Sequence, residues 1–275
     1  LAKRNIRLSS ANSINWGRLV PQIVYYFAAY AQLLKARQIA LGDAVDFCVP
    51  TGNFGDILAG YYAKQMGLPV GKLVCASNEN NVLTDFLTTG TYTARRAFYK
   101  TTSPSMDILV SSNLERLLYH VTGSDTEVAS LMKQLNETGS YTVRPETLAA
   151  IQESFACGWS SEAQVAEEIR ARYEQDHYLC DTHTAVAFHV ASQHKRDGVP
   201  MVVLSTASPF KFPRSVLEAL GHAAPANDFE AMQQLEEATG CTAPASLSAL
   251  RQKAERFHTV IDPEQIAQVA LRYQA

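Results

Sequence analysis

Residues 43–56 read Asp-Ala-Val-Asp-Phe-Cys-Val-Pro-Thr-Gly-Asn-Phe-Gly-Asp, and residues 57–66 continue as Ile-Leu-Ala-Gly-Tyr-Tyr-Ala-Lys-Gln-Met. The apolar run up to Pro50 is rich in strand formers, and the run after Asp56 has the character of a helix. A strand, a glycine turn and a helix start bring several backbone N–H groups to one point, with the positive end of the helix dipole. The stretch therefore predicts an anion site, most often for phosphate. An ordinary turn that uses glycine for its backbone angles is the alternative.

The composition predicts a folded protein and narrows its partners. The 275 residues are 47% hydrophobic and 19% charged, with a formal net charge of −3. This apolar content can fill a substantial core, in one large domain or two unequal ones. Because there is no basic run and no acidic tail, we expect neither nucleic acid nor an anionic membrane as a main partner. The longest apolar stretch, Leu19 to Leu34, is short for a bilayer span and is predicted to be a buried helix.

The cysteines and histidines predict a reduced protein without a metal. The five cysteines are an odd number and form no Cys-x-x-Cys pair, which is typical of free thiols in a cytoplasmic protein. Cys48 and Cys75 fall in predicted buried strands and are interpreted as core residues. His177, His183, His189 and His194 do not share one helix face, so we expect no zinc site there.

Strands and helices alternate along much of the chain. Strands are predicted at 5–10, 44–49, 70–76 and 201–206. Helices are predicted at 16–38, with either the true start or a kink at Pro21, and at 57–66, 80–88, 114–121 and 184–195. This order predicts parallel strands with right-handed crossovers, and ligands beyond the carboxyl ends of the strands. Three such ends carry polar residues: the Gly52–Asp56 loop, Ser77 with Asn78, and Ser205 with Thr206. We expect these three ends to meet at one site.

The fold class predicted is α/β, an open and mostly parallel sheet with helices on both faces. We divide the chain into a main domain at 1–123, a mostly helical insert at 124–180, a second part of the main domain at 181–221 and a helical C-terminal segment at 222–275. The insert follows from helical periodicity at 125–137, 145–156 and 161–176, with only a short strand at 140–144. A polar loop is predicted at 88–93, and extended chain at 94–102. Further helices are predicted at 214–220, 228–239, 245–256 and 263–273.

Six motifs in order resemble threonine synthase, a pyridoxal-phosphate enzyme of fold type II. They are Asn12-Ser-Ile-Asn-Trp-Gly-Arg18 with Gln22-Ile-Val-Tyr-Tyr26, Pro50-Thr-Gly-Asn-Phe-Gly-Asp56, Asn78-Glu-Asn80 with Leu83-Thr84, Met106-Asp107 with Ser111-Ser-Asn-Leu-Glu-Arg-Leu-Leu118, Asp181-Thr-His-Thr-Ala-Val186, and Ser205-Thr-Ala-Ser-Pro-Phe-Lys-Phe212. Together they cover nearly the whole chain. The resemblance implies part of a tryptophan-synthase-β-like fold and pyridoxal 5'-phosphate as the cofactor.

The resemblance also implies roles for single residues. The amides of Gly52, Asn53, Phe54 and Gly55, with Asp56 close by, would hold the cofactor phosphate. The hydroxyl of Thr206 would bond the pyridine nitrogen, with Ser205 as the alternative. The residues implied near the substrate are Asn12, Ser13, Asn15, Arg18 and Lys211.

Several of these residues also have plainer interpretations. Arg18 fits an ion pair equally well, and Lys211 fits a solvated position after a proline turn. Asp181 and His183 are interpreted as capping and packing residues rather than as acid–base catalysts.

The family's Schiff-base lysine is missing from this sequence. In the family it lies in an earlier segment that resembles Phe-Lys-Asp. No such segment exists here, and none of the lysines has that context: 3, 35, 64, 72, 100, 133, 195, 211 and 253. The resemblance therefore implies the C-terminal part of a threonine synthase, with the N-terminal part of the same protein as its partner. We expect exposed apolar surface where that part docks, and self-association or partial disorder near residues 1–10.

The parent reaction implied is the conversion of O-phospho-L-homoserine and water to L-threonine and phosphate. Without the lysine, we expect weak or absent cofactor binding and no turnover by this chain alone. A phospho-lyase that stops before threonine and a non-catalytic binding module on the same fold are the alternatives. A nucleotide-binding Rossmann enzyme is disfavoured, because neither Gly-x-Gly-x-x-Gly nor a P-loop sequence is present.

Overall fold

The computed structural model describes residues 12–256 and 258–272. The strand predicted at 5–10 and the disorder expected near residues 1–10 lie outside these described residues. The strands are β1 (Val45–Pro50), β2 (Val70–Ser77), β3 (Thr91–Thr93), β4 (Ser140–Thr142), β5 (Phe155–Trp159) and β6 (Met201–Val203).

Helices precede, separate and follow these strands in the described residues. They are α1 (Trp16–Leu19), α2 (Ile23–Lys35), α3 (Gly55–Gln65), α4 (Val82–Thr89), α5 (Leu114–Thr122), α6 (Asp125–Thr138), α7 (Pro145–Ser154), α8 (Glu162–Asp176), α9 (Thr182–Gln193), α10 (Pro213–Ala219), α11 (Asp228–Thr239), α12 (Ala245–Ser248) and α13 (Ile266–Arg272). A 3₁₀ turn containing Pro21 separates α1 from α2, as the predicted kink requires.

The main sheet has the order β5-β2-β1-β6, and all of its pairs are parallel. Successive strand residues face opposite sides: Phe47 and Val49 belong to one buried cluster, and Cys48 to the other. Helices α1–α7 contribute to the first cluster, and α8–α11 to the second. The predicted open sheet with helices on both faces is confirmed. Cys48 and Cys75 are fully buried core residues, as predicted.

The main error of the sequence-based prediction concerns β5. The helix expected over 145–156 ends at Ser154, and Phe155–Trp159 then pairs in parallel with β2. The segment 124–180 therefore supplies a strand of the main sheet as well as helices, although the four-part division itself remains a prediction. Phe155 is buried, and its ring lies 5.6 Å from that of Phe54 and 5.8 Å from that of Tyr61. Tertiary burial thus overrides the local helical pattern.

Smaller differences concern the ends of elements. Part of the predicted polar loop forms β3, which pairs antiparallel with β4, while 94–102 forms no strand. Strand β6 ends at Val203 rather than at 206, which leaves Ser205 and Thr206 in a loop. The helix expected over 245–256 ends as a 3₁₀ turn at Gln252. Among the described helices, none is both long and apolar enough to cross a membrane.

Candidate anion-binding site

The loop between β1 and α3 forms the centre of the site. Its last residue, Phe54, has the left-handed conformation with φ at 60°, which non-glycine residues rarely adopt. The Phe54 side chain is 1% exposed and packs in the main core, so burial of the ring holds this conformation. The chain therefore turns sharply at Phe54 and enters α3 at Gly55.

Gly52 is required by close packing of two backbone segments. A Cβ atom on Gly52 would lie 2.7 Å from the carbonyl oxygen of Ser105 and 3.2 Å from the Cα of Met106. These atoms belong to a 3₁₀ turn, Pro104–Met106, which lies directly against the loop. A Cβ on Gly55 would meet only the Asn113 side chain, at an ordinary 3.5 Å. Only the first of the two glycines is needed for space.

The carbonyl groups of the loop are held by a turn that sequence reasoning missed. The Ser111 hydroxyl donates to the Gly52 carbonyl at 2.9 Å. The Asn113 backbone N–H and side-chain amide both donate to the Asn53 carbonyl, at 3.1 and 2.8 Å. Ser111 and Asn113 stand in one of the sequence motifs, but the sequence alone gave them no role in the site. These bonds hold the loop by its backbone carbonyl groups and do not involve its backbone N–H groups.

The donors of the loop form a continuous row. Within the described part of the chain, the N–H groups of residues 52–57 donate no hydrogen bond to another residue. No side chain caps the start of α3, whereas Ser124, Ser161 and Asn227 cap other helices through their side chains. Unsatisfied N–H groups at a helix start, together with the helix dipole, favour an anion. We call this row, residues 52–57, the cradle.

The cradle opens into a cavity of about 750 Å³ at the carboxyl ends of β1 and β6. Most of the predicted site residues line this cavity: Ser13, Arg18, Gly52, Asn53, Phe54, Gly55, Asp56, Thr206 and Lys211. Ser205, the predicted alternative to Thr206, also lines it, and accepts a hydrogen bond from the Tyr178 hydroxyl at 3.3 Å. Gln22, Tyr25 and Met106 stand in motifs quoted from the sequence but had no role assigned to them, and Ser105 stands in none of those motifs; all four line the cavity.

Two predicted substrate residues lie outside the cavity lining. The Asn15 side chain caps α1 by accepting the Gly17 N–H at 2.8 Å, and the Asn12 side chain accepts the Ile14 N–H at 3.1 Å. Both side chains therefore order the segment that carries Ser13 and Arg18. Their assignment to the substrate remains a prediction.

The strand end at Ser77 and Asn78 does not reach the cavity, contrary to the prediction that three ends meet at one site. The Asn78 side chain is buried and donates to the Thr101 hydroxyl at 2.9 Å and to the Asp107 carboxylate at 2.8 Å. These bonds anchor the segment that contains the Pro104–Met106 turn. Asn78 therefore contributes to the site only indirectly, by holding the residues on either side of this turn.

Asp56 is the ionisable group of the cradle. Burial raises the pKa of Asp56 to about 6, although a hydrogen bond from Tyr26 lowers it. Because a carboxylate here would face the same cavity as a bound anion, its charge affects anion binding directly.

Asp181 and His183 lie at the start of α9, next to the Ser105 turn. Asp181 caps α9 by accepting the N–H groups of His183 and Thr184 at 2.8 and 3.3 Å, so the predicted capping role is confirmed. Burial would raise the pKa of Asp181, but hydrogen bonds from His183 and Thr184 and the nearby His183 ring lower it. His183 is 3% exposed and lines the cavity. In the described residues, no three His, Cys, Asp or Glu side chains converge as metal ligands would.

Comparisons with known proteins identify relatives of this sequence and fold. Residues 184–270 match a family model described as threonine synthase, C-terminal. Threonine synthase-like 1 of Macaca fascicularis is 46% identical over 215 residues, which cover 78% of this chain and 29% of that protein. Threonine synthase of Methylobacillus glycogenes is 40% identical over 225 residues, which cover 80% of this chain and 46% of that protein.

A solved structure extends the similarity to the fold. The crystal structure of pyridoxal-phosphate-bound threonine synthase from Brucella melitensis superposes with a TM-score of 0.82 at 41% identity. The match covers 96% of this chain and 52% of that chain. The present chain thus spans about half the length, or less, of the relatives that it matches.

Proposed function

We propose that this chain, which belongs to the threonine synthase family in sequence and in fold, binds the phosphate of pyridoxal 5'-phosphate in its cradle. As part of a longer protein it would convert O-phospho-L-homoserine and water to L-threonine and phosphate. The observation that carries the proposal is the row of unused N–H groups at residues 52–57, open to a cavity that also contains Thr206 and Lys211. The family relationship supports the choice of cofactor and reaction.

The donor set of the cradle fits a phosphate ester. It offers N–H groups at a helix start and no competing side-chain cap, which is how many phosphate sites are built. Gly52 keeps the loop free of a side chain at its closest approach to the Ser105 turn. Across the cavity, the exposed Thr206 carries a neutral hydroxyl, and a neutral partner does not force a pyridine nitrogen into its protonated form.

The chain's own residues would bind and orient the reactants. Pyridoxal phosphate, when bound, supplies an electron sink for proton removal from the amino-acid substrate. Lys211 lies in the 3₁₀ turn Pro209–Lys211 at the cavity, with its ammonium 5.7 Å from the Phe212 ring. We assign Lys211 and Arg18 to the substrate phosphate, because both are cations on the cavity wall. The base that moves the substrate protons would come from the lysine-containing segment of the longer protein.

The surface beside the cavity supports docking of further chain. Val24 and Tyr25 on α2 are 62% and 58% exposed, and Trp16 on α1 is 51% exposed. Tyr25 also lines the cavity, and exposed apolar side chains of this kind are typical of an interface. We propose that the N-terminal part found in the relatives covers this face and completes the site.

The test compares the chain alone with the chain supplied with the N-terminal part of a related threonine synthase. Pyridoxal phosphate binding is followed by its absorbance and by NMR shifts of the 52–57 amides, and threonine and phosphate are measured after adding phosphohomoserine. We expect threonine only when the N-terminal part is present, and loss of the amide shifts in Gly52→Ala. Threonine made by the chain alone would contradict the proposed dependence on that part. Absence of amide shifts under all conditions would contradict the cradle assignment.

A phospho-lyase is the second candidate. Proteins named threonine synthase-like 1 are 45–47% identical to this chain, against 40% for those named threonine synthase. The cradle serves both reactions equally, because each begins with the same cofactor and substrate. Phosphate released in excess over threonine by the completed protein would favour the lyase, and equal amounts would favour the synthase.

A further inference from the structure

His183 connects the helix α9 to the turn that lies behind the cradle. Its Nε2 atom accepts the backbone N–H of Ser105 at 3.2 Å. Because a backbone N–H can only donate, Nε2 must carry its lone pair and the ring proton must be on Nδ1. The ring thus contributes an acceptor to the Pro104–Met106 turn, although it also forms part of the cavity wall.

Asp181 fixes the orientation of this ring. Its Oδ1 atom lies 3.1 Å from Nδ1 of His183 and also accepts the His183 backbone N–H at 2.8 Å. The Thr184 hydroxyl donates to the second carboxylate oxygen. A carboxylate held by so many donors remains ionised and selects the Nδ1–H form of the ring.

Ser105 passes this constraint to the cradle. Its carbonyl oxygen is the atom that a Cβ on Gly52 would meet at 2.7 Å, so the turn and the loop are in direct backbone contact. A second tie runs parallel to the first, because the Thr182 hydroxyl donates to the Thr102 carbonyl at 2.8 Å. The start of α9 therefore holds the 102–106 segment at two residues, Thr102 and Ser105, and Ser105 contacts Gly52.

We infer that Asp181 and His183 are positioning residues that hold the Ser105 turn against Gly52 and so set the spacing of the cradle N–H groups. The inference rests on the proposed function, in which the cradle binds phosphate. Since Nε2 is engaged by Ser105, His183 acts through that turn and not as a proton acceptor for the substrate.

Two substitutions at one position separate this role from general packing. In His183→Gln, the side-chain oxygen reaches the former Nε2 position and can accept the Ser105 N–H. In His183→Asn, the shorter amide can pair with Asp181 but cannot reach Ser105. Hydrogen exchange of the Ser105 amide, NMR shifts of the 52–57 amides under titration with inorganic phosphate, and thermal unfolding are measured for both variants and the unchanged chain.

We expect Ser105 exchange to become about tenfold faster in His183→Asn, which corresponds to the loss of one hydrogen bond. The Kd for inorganic phosphate should rise by roughly threefold to tenfold in His183→Asn, and His183→Gln should restore both values to within about twofold. Phosphate affinity that is unchanged in His183→Asn would overturn the inference. Equal weakening in both variants, with equal falls in Tm, would also overturn it, because packing alone would then explain the effect.

Failure of the proposed function would be recognised separately. If phosphate shifts none of the 52–57 amides in the unchanged chain, the cradle does not bind phosphate. The positioning role is then tested by the NMR spectra without phosphate. It requires the chemical shifts of the 52–57 amides to change in His183→Asn and to stay the same in His183→Gln. If His183→Asn does not fold, Asp181→Asn takes its place with the same measurements, since asparagine remains a good helix cap.

Discussion

The hydroxyl of Tyr26 donates to both the backbone carbonyl and the side-chain carboxylate of Asp56, at 2.8 and 3.2 Å. Tyr26 belongs to α2, and Asp56 to the first turn of α3, so this contact ties the N-terminal helices to the cradle. Burial and the nearby Asp56 raise the pKa of Tyr26, which keeps the phenol protonated and available as a donor. Asp56, with its pKa raised to about 6 by burial, changes charge just below neutral pH.

The first prediction concerns Asp56→Asn. Because the pKa of Asp56 is higher in the folded state than its ordinary value, the folded state binds this proton more tightly than the unfolded state. This proton therefore stabilises the folded state below pH 4. As the pH rises through 6, the folded state loses this stabilisation, which amounts to up to about 3 kcal/mol. Asparagine does not titrate, so the variant should be more stable than the unchanged chain at pH 7.5 and similar to it at pH 4. Urea unfolding at the two pH values measures this.

The matched control is Asp228→Asn, an exposed acid in the first turn of α11. It should show no comparable gain at pH 7.5, because its carboxylate is solvated. A gain for Asp56→Asn that is the same at both pH values would mean that the charge of Asp56 is not the cause.

The second prediction concerns Tyr26→Phe, which keeps the ring and removes both hydrogen bonds to Asp56. We expect a loss of about 1–2 kcal/mol in the free energy of unfolding. The pKa of Asp56 should rise further, because the Tyr26 hydrogen bond lowers it. Carboxyl NMR titration measures that pKa. Tyr30→Phe is the control, since the Tyr30 hydroxyl donates to the Asp43 carbonyl and should leave Asp56 unchanged.

The third prediction contrasts Gly52→Ala with Gly55→Ala. A Cβ at Gly52 would collide with the backbone of Ser105 and Met106, and neither segment can yield as a flexible side chain would. We expect Gly52→Ala to lose about 1–3 kcal/mol of stability, the range typical of overpacking, and to lose phosphate binding. Gly55→Ala meets only an ordinary contact and should stay within about 0.5 kcal/mol of the unchanged chain. Denaturant unfolding would refute the argument if the two variants were equally destabilised.

The fourth prediction concerns the opposite end of the sheet. Asp46 is 1% exposed, and Arg196 donates to its two carboxylate oxygens at 2.6 and 2.7 Å. The backbone N–H of Lys72 also donates to Asp46, at 2.6 Å. Arg196→Ala removes the two bonds from arginine and keeps this one, so the free energy of unfolding should fall by about 1–3 kcal/mol. Arg144→Ala is the control, because the Arg144 side chain is 59% exposed and its ion pair with Glu127 should contribute less than about 1 kcal/mol. Equal losses on unfolding would contradict this ranking.

The sequence predicts those parts of the site that depend on local backbone chemistry. The Gly52–Asp56 loop and Thr206 could be located because glycine turns and strand ends leave recognisable patterns. Strand β5 could not, because Phe-Ala-Cys-Gly-Trp is short and continues a helical pattern, and only burial against Phe54 and Tyr61 makes it a strand. The contact of Ser105 with Gly52 was equally inaccessible, because it depends on two distant backbone segments in van der Waals contact.

The pairing of β1 with β6 brings Asp46 beside Met201. In the sequence, these two residues are separated by the helices α3 to α9 and the strands among them. Such non-local contacts form late, because a long loop must close before they stabilise anything. During synthesis, the cradle loop emerges from the ribosome long before the strand that carries Thr206 and Lys211 to its opposite wall. We therefore expect the two walls of the cavity to be joined only near the end of folding, with the edge of β1 open until then to pairing with other chains.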